Sequence, residues 1–183
     1  MQTDDEGDAA ALESVSTPPL AMSSAQLTVT LNPTRAGLNL LTATVEADVI
    51  VANTGDTAAV DIRAGVDLDS AGAGGSNKQA PVGVFPPARP VVPPFALAPG
   101  EERRFRAVAA LPHDAIRPLS AAGRPMFVPL ITVQLGWTDA AGAQGAAQAW
   151  AIGIERPGSA KLAPFWLDVA PRSYDNVAAR LTP

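Results

Sequence analysis

Cysteine is missing from this chain altogether, and histidine occurs once, as His113. The first absence excludes disulfide staples, thiolate metal sites and thiol nucleophiles together. The second rules out any site that needs two imidazoles. Lysine is nearly absent too, with Lys78 and Lys161 the only two among 13 basic residues, and aromatics make up 5% of the chain. A core must then be assembled from small pieces, chiefly alanine and valine, which the 47% hydrophobic content provides. No clustered basic stripe offsets the formal charge of −5, so no nucleic-acid partner is expected. The heavy use of Ala, Pro and Gly fits translation from a GC-rich bacterial genome. No stretch reaches the ~20 apolar residues of a membrane span. Met1 is followed by Asp4, Asp5, Glu6 and Asp8 where a signal peptide carries basic and then apolar residues, so the expectation is a soluble chain with no direct membrane insertion and no readable export signal.

What is present is a run of period-2 segments in a chain of 183 residues, long enough for one domain with tails. Residues 1–24 are acidic and rich in Ser and Pro without any apolar period, and read as a flexible leader. From Leu27, apolar residues alternate with Thr28, Thr30 and Asn32 until Pro33 stops the strand. In the stretch Leu41 to Ala52, Leu41, Ala43, Val45, Ala47, Val49 and Val51 share one face. Asn53-Thr54-Gly55-Asp56 then reverses the chain, and Val60, Ile62, Ala64, Val66 and Leu68 resume the alternation, so the two runs are expected to form a hairpin. Residues 69–94 hold Gly72, Gly74 and Gly75 followed by six prolines between Pro81 and Pro94 and read as a long surface crossover, because proline lacks a ladder donor.

Leu97-Ala98-Pro99-Gly100-Glu101 places Pro and Gly where a type II turn requires them. The strand after it points Phe105, Ala107, Ala109 and Leu111 one way and Arg104 and Arg106 the other. Met126 to Trp137 reads as a central strand in which Pro129 marks a local break in pairing. A Gly-rich turn over 139–145 leads into Trp150, Ile152 and Ile154, a further hairpin. The expected architecture is an all-β, antiparallel β-sandwich over residues 25–156. Residues 157–183 form a C-terminal tail whose Phe165, Trp166, Leu167 and Val169 are too apolar to leave in water and should pack on the domain or on a partner.

Two of these features occur together in a known setting. The Asn53-Thr54-Gly55 turn followed by the Leu97-to-Glu101 turn resembles the bacterial CARDB-like and related immunoglobulin-like repeat domains. That resemblance covers roughly residues 25–156 and implies an immunoglobulin-like sandwich of about seven strands in an accessory or adhesive module of an exported protein. Gly123 to Pro129, Ile154 to Gly158 and Ala163 to Trp166 also resemble an uncharacterised family of Gram-negative envelope proteins. The two resemblances imply a periplasmic or cell-envelope location and carry over no catalytic residues.

The residues offer little chemistry. His113 beside Asp114 reads as a solvated turn more readily than as a base, for no GxSxG elbow or phosphate loop accompanies it. Asp61, Asp67 and Asp69 have a spacing that could feed a calcium site, but Asp61 and Asp67 sit where a wet strand face needs charge. Glu101-Glu102-Arg103-Arg104 reads as a solvated face. Trp137 and Trp150 fall in phase with the core, which leaves Trp166 as the free indole. The sequence therefore predicts no catalytic residues, no metal site and no cofactor. It points to a non-enzymatic interaction or structural module that binds a protein partner or self-associates through a sheet edge, the Pro-rich loop 81–94, or Phe165, Trp166 and Leu167. Carbohydrate binding on exposed tryptophans is the alternative.

Overall fold

The computed structural model describes residues 23–72, 87 and 89–183. The expected leader up to residue 22 and most of the Gly- and Pro-rich crossover lie outside the described residues. In chain order the strands are β1 (Leu27–Leu38), β2 (Thr42–Asn53), β3 (Ala59–Ser70), β4 (Phe95–Leu97), β5 (Glu102–Pro112), β6 (Leu119–Ala121), β7 (Arg124–Phe127), β8 (Pro129–Asp139), β9 (Gly142–Ile154), β10 (Phe165–Trp166), β11 (Arg172–Tyr174) and β12 (Val177–Leu181). One sheet has the order β11-β1-β2-β5 and the other β12-β9-β8-β3-β4, with a small third sheet β10-β7-β6. All the strand pairings are antiparallel. The fold is an immunoglobulin-like antiparallel β-sandwich. Three strands of the first sheet and four of the second, β1, β2, β5 and β4, β3, β8, β9, account for the expected seven. Residues 157–183 add β12 to one sheet and β11 to the other.

Alternation drives the packing. In β2 every second residue from Ala43 to Asn53 is buried, and Val49 and Val51 are fully enclosed. They face Ile62, Val133, Leu135 and Ile152 of the same core. Burying each such side chain contributes roughly 1.5–3 kcal/mol. Trp137 and Trp150 join this core, as their phase predicts.

Local patterns that looked alike have different outcomes. The Asn53–Asp56 turn does not close a hairpin: β2 pairs with β1 and β5, whereas β3 pairs with β4 and β8, so the turn carries the chain from one sheet to the other. The buried Asn53 side chain explains the corner. Its Oδ1 accepts from the Gly55 and Gln26 N–H groups (3.0 and 3.3 Å), and its Nδ2 donates to the carbonyls of Thr57 and Leu97 (2.8 and 3.1 Å). Gly55 is required there, because a Cβ would lie 2.3 Å from the Ser24 carbonyl oxygen. The second turn forms as expected, with Gly100 at φ +80° and the Glu101 N–H donating to Ala98 O at 3.1 Å. The two turns are bonded to each other: Asn53 N–H donates to Glu101 O and Gly100 N–H to Asn53 O.

Other departures have equally local causes. Leu41 lies outside β2 and is exposed, because Asn39 Oδ1 accepts from the N–H groups of Leu41 and Thr42 and turns the chain before the strand begins. Pro33 does not end β1, which continues to Leu38 through a register shift between Pro33 and Arg35. At Pro33 the strand is paired only with β2, so a ring without an N–H is tolerated. A bulge at Asp61, which has φ 51°, turns Val60 outward and hands its core place to Ala59. The single strand expected over Met126 to Trp137 is two. The break falls at Val128, where the chain leaves the small sheet and enters the second large one at Pro129.

Candidate functional site

The tail helps to form a surface concavity with a mainly apolar lining and a size suited to a ligand. Beyond β9, the Arg156-Pro157-Gly158 turn brings the chain back on itself, with Gly158 at φ +73° and the Ser159 N–H donating to Arg156 O. Ile154 and Ala163 then exchange both backbone hydrogen bonds at 2.8 Å. This close return depends on Gly153, where a Cβ would sit 2.6 Å from Leu162 Cβ and 2.9 Å from Ala163 O. β10 next pairs with β7, Phe165 opposite Phe127 and Trp166 opposite Met126.

Between this returning segment, β9 and β7 lies an open groove of about 710 Å³. Ala151, Ile152 and Gly153 contribute one wall, Met126 and Val128 another, and Leu162, Pro164 and Trp166 the third, with Lys161 and Arg180 at the polar margin. Arg180 donates to the carbonyl of Ala160. The Arg124 guanidinium lies 4.4 Å from the Trp166 ring centroid and grips Asp168 through two hydrogen bonds of 2.7 Å. The bond to Asp168 raises the Arg124 pKa, and the bond from Arg124 lowers that of Asp168. Both groups are exposed, so the pair orients Arg124 over the indole and adds little stability.

The three candidate tail residues divide. Phe165 is 2% exposed and packs on Phe127 and, edge to face at 5.1 Å, on Tyr174. Leu167 is partly buried against the same core, and its N–H donates to Pro125 O. Trp166 is the one that faces the groove. Sequence reasoning missed the opposite wall. A trace of it exists in the outward face of β9, where a glycine inside a strand, Gly153, marks a close approach of another segment.

The other candidates are spread apart. His113 sits on an exposed 3₁₀ turn, where its N–H donates to Leu41 O and its carbonyl accepts from Ile116. Asp61 pairs with Arg63, Asp67 accepts from Gln134, and Asp69 pairs with Arg117 while capping the Ser70 N–H. Among the described residues no three His, Asp or Glu side chains converge as metal ligands. Glu101 Oε2 accepts from the Ala98 N–H and so braces the second turn. Arg103 lies over the Phe95 ring at 4.7 Å.

No family model, curated protein or solved structure matches this chain. Among the described residues no helix is long and apolar enough to cross a membrane.

Proposed function

We propose that this domain is a non-enzymatic interaction module of a bacterial cell-envelope protein, and that its groove receives an apolar segment of a protein partner against Trp166. The observation that carries this reading is the groove itself: an open apolar concavity on paired strands, with an aromatic side chain on its wall and cationic groups at its margin. Rigid walls reduce the ordering cost of binding, and a half-buried indole is a common anchor at interface centres. The periplasmic or envelope location rests on the resemblance of the two turns to exported repeat domains. The carbohydrate alternative is weaker, because Arg124 already occupies a face of the Trp166 indole that a sugar ring would stack on.

Selection of a displayed random-peptide library on the domain, with counter-selection on a Val128→Glu variant, tests the proposal. Enrichment of apolar peptides that bind the original domain and lose binding to the variant supports it. Recovery of no such peptides, with binding of soluble glycans that quenches Trp166 fluorescence, favours the carbohydrate reading instead.

A further inference from the structure

The sandwich treats its edges unequally. β11 and β4 have three residues each, β12 has five, and a bulge interrupts the β3–β4 pairing. These are the short, irregular edges that discourage strand addition. β5 is different. It is 11 residues long and pairs with β2 without any register shift from Glu102 to Pro112, and no described residue pairs with its outer edge. Within that span proline occurs only at its last residue.

Glu102, Arg104, Arg106, Val108 and Ala110 alternate on the solvent face beside this edge, so two arginines against one carboxylate make one end net basic, and Val108 is 61% exposed. Arg106 reaches only Asp48, at 3.8 Å, and Arg104 has no carboxylate within 4 Å among the described residues. The basic end would deter a lysine- or arginine-rich strand and attract a carboxylate-bearing one. We propose that β5 is a docking edge for an extended acidic segment of a partner protein. The segment adds as a fifth strand, with an apolar residue beside Val108 and carboxylates at alternating positions beside Arg106 and Arg104. This inference rests on the reading of the domain as an interaction module, but it concerns a surface separate from the groove.

The test uses a synthetic peptide of about nine residues, threonine-rich, with one valine and two glutamates spaced to meet Val108, Arg106 and Arg104. One control replaces the glutamates by lysines, and another methylates alternate backbone nitrogens to block the ladder. Binding is read by calorimetry and by amide shifts in β5. Two cross-strand charge pairs account for roughly a tenfold affinity difference. The acidic peptide is therefore expected to bind about tenfold more tightly than the lysine peptide, and Arg104→Glu with Arg106→Glu should reverse that order. Methylation should abolish binding, and Val128→Glu in the groove should leave it intact. The proposal is overturned if no binding occurs, if methylation or charge reversal has no effect, or if the shifts map to the groove. Concentration-dependent dimerisation through β5 would overturn it as well, by assigning the edge to a second copy.

Discussion

Replacing Asn53 by alanine should be among the most damaging single changes in this protein, although it removes only one amide. Four hydrogen bonds end on that side chain, and Asn53 itself is 1% exposed. The bonds to Gln26, Gly55 and Thr57 are partly accessible, so water can replace part of what is lost, at a net cost of roughly 0.5–1.5 kcal/mol each. The Leu97 carbonyl is buried, and leaving it without this donor costs roughly 1–3 kcal/mol. Together the loss is on the order of 2.5–7.5 kcal/mol, a large share of the ~5–15 kcal/mol that holds a domain folded. With a urea m-value of about 2 kcal/mol per molar, the unfolding midpoint falls by roughly 1–4 M at unchanged slope. Asn39→Ala, which removes an exposed amide with the same local capping role, should cost no more than about 1 kcal/mol. A loss below about 1 kcal/mol for Asn53→Ala would refute the view that this side chain holds the corner.

The two neighbouring tail aromatics should separate cleanly: Phe165→Ala is expected to cost about 3–5 kcal/mol in denaturant unfolding, and Trp166→Ala less than half of that. Gly153→Ala should push the 160–164 segment off β9 and cost about 1–3 kcal/mol, seen as faster tryptic cleavage after Lys161, since Pro157 blocks cleavage after Arg156. Because Arg124 lowers the Asp168 pKa, the pair's contribution is fully present above the ordinary carboxylate range and fades as pH falls through the lowered one. The stability difference between the original protein and Asp168→Asn, measured across a pH series, should therefore be largest near neutrality and vanish in acid.

Strands and faces were legible in this sequence where the hydrophobic period was unbroken. Ala43 to Val51 announce a half-buried strand because only a period of two puts them on one side, and Pro99-Gly100 announces its turn because few residues accept those angles. Pairing partners were less legible. The reversal at Asn53 looks like a hairpin from its residue types, and only the reach of one side chain to Gln26 and Leu97, distant in sequence, turns it into a crossing between sheets. Val60 shows the same limit, since a bulge at the next residue moves it out of the core without changing its neighbours in sequence. The groove was legible on one side alone. Trp166 stands out by type, but Met126, Val128 and Ile152 become its companions only through the return of the tail across Gly153.

The tail's division between two sheets bears on how the chain is made. Synthesis proceeds from the N-terminus, so all seven sandwich strands emerge before β11 and β12 exist to pair with the C-terminal ends of β1 and β9, and before Phe165 can fill its place against Phe127. At ~5–20 residues per second the interval from Ile154 to Leu181 lasts roughly one to five seconds. For that time the nascent protein carries two additional bare edge segments and an unfilled aromatic pocket, an arrangement that invites pairing with another unfinished chain. The segment after Ile154 thus acts as a closing step, and a ribosome stalled shortly after Ile154 should yield a stickier product than one that has released Leu181.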